Sequence, residues 1–219
     1  SSAASDVYKR QPNNDSTMVQ NGLLQFAKAS DVSKNGSIIA TSNTFDTNET
    51  NVTVYRLKDG HYVYSETLTA PDGETTYGTS VSVSEDGTFI AVGTPGQDLS
   101  NTNAGVVYVY KQVNGTYTLN QTLRTPEAGA EDLFGSTLEF DGGTLVVATS
   151  KGVGAVHIFN NVDGTLLYGE KFSYFADSTV DTFGDNFIVR NNHITLALTD
   201  LQLLGTGVGT VLDYRRGDT

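Results

Sequence analysis

The chain of 219 residues has no cysteine, only 4 prolines, and 13 basic residues against 25 acidic ones. Each shortage excludes something. Without cysteine no disulfide framework can form, although a chain of this length can bury a core without one. A formal charge of −12 repels phosphate backbones and anionic lipid headgroups, so nucleic acid and acidic membrane surfaces are not expected partners. No apolar run approaches the roughly 20 residues of a membrane-spanning helix, so no membrane insertion is expected. Scarce proline alongside 23 glycines and abundant Thr, Ser and Asn suits short strands joined by many tight turns.

What is present is a repeat. From Phe26 the chain reads FAKASDVSKNGSIIATS, from Tyr77 YGTSVSVSEDGTFIAVG, from Phe134 the shorter FGSTLEFDGGTLVVAT, and from Phe183 FGDNFIVRNNHITLAL. The spacing suits one four-stranded unit per repeat. A short alternating strand comes first in each unit. A two-residue turn is expected next, at Asn35-Gly36, Asp86-Gly87, Gly142-Gly143 and Asn191-Asn192, with residue types that tolerate positive φ. An apolar second strand follows (SIIAT, TFIAVG, TLVVAT, ITLAL), continuous because both faces are covered. After a variable loop come third strands NVTVYRL, GVVYVYKQ, GAVHIFNN and GTVLDYRR. Second turns are expected at Asp59-Gly60, Asn114-Gly115 and Asp163-Gly164, ahead of outer strands YVYSETL, YTLNQTL and LLYGEKF. In YTLNQTL, Tyr117 and Leu119 are expected on one face, and Thr118 and Asn120 on the other.

These residues resemble the FG-GAP repeats of integrin-α-like proteins. Tyr77-Gly78, Phe134-Gly135 and Phe183-Gly184 stand at the FG position, and Val92-Gly93-Thr94-Pro95 at the G-A-P position. The lead-ins AEDLFG from Ala130 and VDTFG from Val180 match the approach to that pair. Phe26-Ala27 departs from it. The resemblance implies an all-β propeller of four-stranded antiparallel blades at about 26–76, 77–133, 134–182 and, incomplete, 183–219. Residues 1–25 form a non-repeat lead-in, read as foreign to the array. Four blades fall short of the seven of integrin-α propellers, so further blades or domains are expected in the full-length protein. The alternative is a closed four-bladed ring in which residues 1–25 supply the missing outer strand. The aromatic should fill the wedge between blades, and the glycine should let two backbones approach. Small residues on the second strand, Ala40, Ala91, Gly93 and Ala148, suit the crowded region near the axis.

Little in the chain points to catalysis. His61, His157 and His193 fall at non-equivalent places in three repeats, and no nucleophile elbow, zincin or phosphate-loop motif occurs. Asp132 and Asp181 recur at matched positions, which suits a turn-stabilising side chain. No enzyme activity and no cofactor are expected. The D-x-D-x-D-G calcium loop of metal-binding family members is missing, which leaves Asp98, Asn101 and Asn103 as weak calcium candidates.

Recognition is expected in the variable loops between second and third strands, at Asp46, Asn48, Glu49, Gln97, Asp98 and Asn101. Arg216-Gly217-Asp218 spells an integrin-recognition tripeptide. Sequons at Asn14, Asn35, Asn48, Asn51, Asn114 and Asn120 fit a glycosylated, secreted chain. The expectation is therefore an extracellular or cell-surface module that binds a protein or glycan ligand. Its rival is a structural or accessory propeller beside a catalytic region.

Overall fold

The computed structural model describes residues 23–45, 50–71, 73, 75–98, 103–126, 129, 131–150, 154–173, 187–191, 193–203 and 206–215. Four antiparallel sheets follow one another along the chain. The first holds β1 (Leu23–Val32), β2 (Ile38–Phe45), β3 (Thr50–Lys58) and β4 (His61–Thr69). Next come β5 (Ser80–Val83), β6 (Phe89–Thr94), β7 (Val106–Val113) and β8 (Thr116–Leu123). The third sheet holds β9 (Leu138–Asp141), β10 (Thr144–Thr149), β11 (Ala155–Val162) and β12 (Thr165–Phe172). Among the described residues the fourth has three strands, β13 (Phe187–Arg190), β14 (His193–Leu203) and β15 (Thr206–Arg215). Within each sheet the strands pair in chain order, so every sheet is a meander. The first strands of successive sheets are neighbours, β1 beside β5, β5 beside β9 and β9 beside β13. The sheets are thus blades around a shared axis, with first strands innermost. β1 begins at Leu23, before the expected start of the repeat, because β2 continues to Phe45 and pairs with it there.

The core lies between blades rather than within them. Val52, Val54, Tyr77, Ile90, Val92, Tyr108 and Tyr110 close the first interface. Phe89, Val107, Phe134, Leu145 and Phe159 close the second, and Val146, Ile158, Val189 and Ile194 the third. A strand that feeds two interfaces must be apolar on both faces, and every residue of β6 and β10 is buried. The aromatics of the FG position do fill the wedges, with Tyr77 in the first interface and Phe134 in the second. Each such burial contributes on the order of 1.5–3 kcal/mol. Ala40, Ala91 and Ala148 are fully enclosed, as the crowding near the axis requires.

The second turns have the expected geometry. Asp59, Asn114 and Asp163, with the glycines that follow, all have positive φ, the signature of a type I′ hairpin. The first turns of blades 1 and 2 correct the two-residue expectation at Asn35-Gly36 and Asp86-Gly87. Each is a four-residue loop, 34–37 and 85–88, in which only the glycine has positive φ. Polar side chains hold the longer loop. Ser33 and Ser84 Oγ accept the N–H of Ile38 (3.0 Å) and Phe89 (2.8 Å). Asn35 and Asp86 Oδ1 accept those of Ser37 and Thr88, both at 2.9 Å. Blades 3 and 4 lack that serine; blade 3 uses a two-residue turn at 142–143, and in blade 4 β13 and β14 pair up to Arg190 and His193, with residue 192 outside the described residues.

Every complete blade also carries a β-bulge in its outer strand, at Ser65, Asn120 and Gly169, which the register skips. An extra residue reverses which side chains face which way. Tyr117 and Leu119 both precede the bulge and share one face, as expected, but only Tyr117 is buried in the interface with blade 1, while Leu119 is 46% exposed. Beyond the bulge, Gln121 and Leu123 face blade 3 instead. The outer strand therefore serves two neighbours rather than presenting one wet face.

Candidate functional site

Two recurring clasps hold the blades in position. On the innermost strands of blades 1 to 3, the side chain five residues after Phe26, Tyr77 or Phe134 accepts a backbone N–H of the next blade. Asp31 Oδ2 accepts from Val83 N (2.7 Å) and from the Ser82 hydroxyl (2.9 Å). Ser82 Oγ in turn accepts from Phe140 N (3.0 Å), and Glu139 Oε2 from Val189 N (2.9 Å). On the outer strands of blades 1 and 2, the residue just past the bulge does the same. Glu66 Oε2 accepts from Tyr117 N (3.0 Å), and Gln121 Oε1 from Leu166 N (2.7 Å). Arg56 strengthens the first junction, lying 5.3 Å over the Tyr117 ring while donating to Gly115 O at 2.8 Å. Sequence reading missed both clasps. Their signal is positional: Glu66, Gln121 and Glu170 each lie seven residues after the first residue of a second turn.

The innermost strands of all four blades line a cavity of about 410 Å³. Its charged lining is Asp31, Lys34, Glu85, Glu139, Asp141 and Arg190. Lys34 is ion-paired with Glu85 and Arg190 with Glu139. The Glu85 hydrogen bond, and then its charge, raise the pKa of the Lys34 ammonium. Both cations of the lining are thus ion-paired across the mouth, and two further carboxylates, Asp31 and Asp141, keep it acidic.

The loop after β6 is tied down at both ends. Gln97, expected to offer itself to a ligand, is buried, with its Oε1 accepting from Tyr108 OH at 3.4 Å and its backbone carbonyl from Gly105 N at 3.2 Å. Asp98 is exposed, and its Oδ1 accepts from Asn103 N at 2.6 Å. The Asn103 amide donates to Glu131 Oε1 at 3.0 Å, and its carbonyl accepts from Leu133 N at 3.1 Å. Asp98 and Asn103 are therefore brought together, and the loop leans on the lead-in to blade 3. Among the described residues, no three His, Cys, Asp or Glu side chains converge as a metal site. Asn101, Asp46, Asn48, Glu49, Arg216, Gly217, Asp218 and Asp181 lie outside the described residues. Asp132 Oδ2 accepts from Gly129 N at 2.5 Å, the turn-stabilising role its recurrence suggests.

The histidines serve different blades. His61 is exposed at the start of β4. His157 is buried edge-on against Phe134 with centroids 5.4 Å apart, and His193 Nδ1 lies 2.9 Å from Asp213 Oδ2. Hydrogen bonds from His193 and then Thr195 lower the Asp213 pKa. Asn35, Asn114 and Asn120 are exposed, while Asn51 accepts from the Asn43 amide at 3.2 Å.

Comparison with known proteins agrees with this geometry. Residues 63–110 match the family described as FG-GAP repeat. No curated protein matches the chain. Among solved structures, the β-propeller domain of the Trilobed protease from Pyrococcus furiosus is similar, with a TM-score of 0.55 and 12% identity over 90% of this chain and 55% of that one. A component of a Mitotic Checkpoint Complex gives 0.51 and 15% over 95% and 57%. A prolyl endopeptidase gives 0.51 and 12% over 89% and 27%. The chain thus spans little more than half the length of the first two and about a quarter of the third. At such identities the likeness concerns the fold, a β-propeller. No helix among the described residues is long and apolar enough to cross a membrane.

Proposed function

We propose that this array of propeller blades, with an FG-GAP repeat at residues 63–110, is a non-catalytic binding module acting outside the cell or at its surface. Its ligand is a protein or a glycan, met by the loops between second and third strands. The observation that carries the reading is the way the two ends of the 95–104 loop, up to Asp98 and from Asn103 on, are held. Asp98, Asn103 and Glu131 brace it across two blades while the Asp98 side chain stays in solvent. A polar loop braced on a rigid scaffold loses little entropy on binding.

The test is retention on a glycan array and on an array of secreted and cell-surface proteins, using the full 219-residue chain. The expected result is selective retention that Asp98→Ala weakens while thermal melts show the chain still folded. Absence of any retained ligand would defeat the reading. A second reading is favoured by two neighbours whose names describe proteases, the Trilobed protease propeller and the prolyl endopeptidase. In it the blades are an accessory domain beside a catalytic region. A full reading frame joining them to a hydrolase domain would select it.

A further inference from the structure

Two Asn-Gly pairs stand among the described residues, and the fold treats them oppositely. At Asn35-Gly36 the side-chain amide and the glycine N–H are both occupied. Asn35 Oδ1 accepts from Ser37 N at 2.9 Å and from the Ser33 hydroxyl at 2.7 Å, and Nδ2 donates to Asp86 O at 3.2 Å. Gly36 N donates to Ser33 O at 2.8 Å. At Asn114-Gly115 neither group is held. The pair is the exposed tip of the β7–β8 hairpin, and only Val113 and Thr116 pair across it, so the turn leaves the Gly115 N–H outside the ladder. Among the described residues no hydrogen bond reaches that N–H or the Asn114 carboxamide. No atom lies within 4 Å of where a Cβ on Gly115 would stand. Blade 3 differs at the equivalent tip, where Gly164 N donates to Asn161 Oδ1 at 2.9 Å.

We propose that Asn114 is a modification site, where spontaneous deamidation loosens the junction of blades 1 and 2. The Gly115 nitrogen attacks Asn114 Cγ, the new N–C bond closes a succinimide ring, and the Cγ–Nδ2 bond breaks. The proton of the attacking nitrogen leaves with the amino group as ammonia. Water then opens the ring at one carbonyl to give aspartate, or at the other to give isoaspartate. No oxidant, metal or enzyme enters. Glycine in second place matters because no Cβ shields the attacking nitrogen. The aspartate product fits, since Asp59 and Asp163 hold the same turn place in blades 1 and 3 with the same positive φ. The isoaspartate product does not, since its main chain runs through Cγ and the turn gains a methylene. Two contacts across the blade junction begin close to that methylene. Arg56 Nη2 donates to Gly115 O at 2.8 Å, and Tyr117 N donates to Glu66 Oε2 at 3.0 Å. Both depend on the register that the turn sets, so the isoaspartate form loses them. This inference is independent of ligand binding by the loops.

The test ages the full 219-residue chain, made in bacteria so that Asn114 carries no glycan, at mildly alkaline pH and body temperature. Peptide mapping by mass spectrometry follows each Asn-Gly pair separately, including Asn21-Gly22, which lies outside the described residues. In the folded chain Asn114 should convert roughly tenfold faster than Asn35 or more, because four hydrogen bonds must break before Asn35 can react. In urea the two should convert at similar rates, a comparison that needs no altered protein. Isoaspartate is counted by labelling with an isoaspartate-specific methyltransferase. The melting temperature of the aged chain should fall with that count, below that of Asn114→Asp aged beside it, while fresh Asn114→Asp melts with the parent. Glu66→Ala should lower the melting temperature of the fresh chain and hardly that of the isoaspartate-rich chain, whose clasp is already lost. A folded chain in which Asn114 converts no faster than Asn35 overturns the site. So does a preference that persists unchanged in urea, which would come from neighbouring residues rather than from the fold. An isoaspartate-rich chain that melts with Asn114→Asp, or that Glu66→Ala damages as much as the fresh chain, overturns the loosening.

Discussion

Gly93 of the second blade and Gly135 of the third meet through bare backbone. A Cβ on Gly93 would overlap the Gly135 carbonyl, and one on Gly135 would lie 3.3 Å from Gly93 Cα and 2.9 Å from Val106 O. The G-A-P glycine of one repeat is therefore the seat for the FG glycine of the next. Ser80 Oγ secures the contact by donating to Gly135 O at 2.7 Å. Gly93→Ala should destabilise at the upper end of the overpacking range, about 3 kcal/mol, because its neighbour is backbone and cannot swing aside. Gly135→Ala adds the strain of φ +89°. Gly115→Ala has a similar φ but open space around it, and should cost only about 1 kcal/mol. Urea unfolding of the three variants checks the ranking, and equal losses would refute it.

The outer clasp predicts a contrast at one residue. The Glu66 side chain is 18% exposed and holds Tyr117 N while lying 3.5 Å from Arg56 Nη2. Glu66→Ala leaves a half-buried N–H unpaired and should cost about 1–3 kcal/mol. Glu66→Gln keeps the acceptor, so chemical denaturation should place it within about 1 kcal/mol of the parent.

The Tyr77 hydroxyl donates to Tyr110 OH at 2.9 Å, and Tyr110 OH donates to Thr69 O at 3.3 Å. Tyr77→Phe leaves Tyr110 with a partner and should cost about 0.5–1.5 kcal/mol. Tyr77→Ala opens the wedge and should cost about 3–5 kcal/mol. Thermal melts of the two variants should separate clearly. If Tyr77→Phe proves as damaging as Tyr77→Ala, the hydroxyl chain rather than the ring holds the blades.

Burial pushes the phenols of Tyr77 and Tyr110 upward, and that of Tyr117 to about 12. A raised folded-state pKa gives stability that is complete below the ordinary 10.0 and is lost as pH climbs through about 12. Alkaline unfolding monitored by tyrosinate absorbance should be cooperative in that window, and Tyr117→Phe should blunt it. Gradual ionisation with retained secondary structure would contradict this.

At the acid end, burial works to raise the Asp86 pKa. Hydrogen bonds from the Thr88 hydroxyl and N–H and from the Ser84 hydroxyl outweigh it, so the net shift is downward. The stability Asp86 contributes is present above the ordinary 3.8 and fades as pH falls through its lower folded value. Asp86→Ala should therefore narrow its stability gap to the parent as pH drops below 3.8. A gap independent of pH would mean that the carboxylate does not hold the turn.

Much of the fold was written in local chemistry. Asp59-Gly60, Asn114-Gly115 and Asp163-Gly164 read as tight hairpins because a two-residue turn needs positive φ at both places. The continuous apolar runs read as strands covered on both faces. The first turns were misread at Asn35-Gly36 and Asp86-Gly87, because Ser33 and Ser84 compete for the closing N–H groups and lengthen the loop. Gln97 looked like an exposed loop residue and is buried, since its role depends on Tyr108, eleven residues away in sequence.

By itself the sequence determined the repeat, the strand order within a blade and the aromatic wedge, all of which follow from periodicity and turn preference over short distances. Only the tertiary structure decided how one blade grips the next. A side chain such as Asp31, Glu66 or Glu139 acquires its role from a backbone N–H about fifty residues away, and the bulges at Ser65, Asn120 and Gly169 turn the outer strands toward a second neighbour. Nothing in local spacing encodes which N–H will lie opposite, because that is set by the packing of whole sheets.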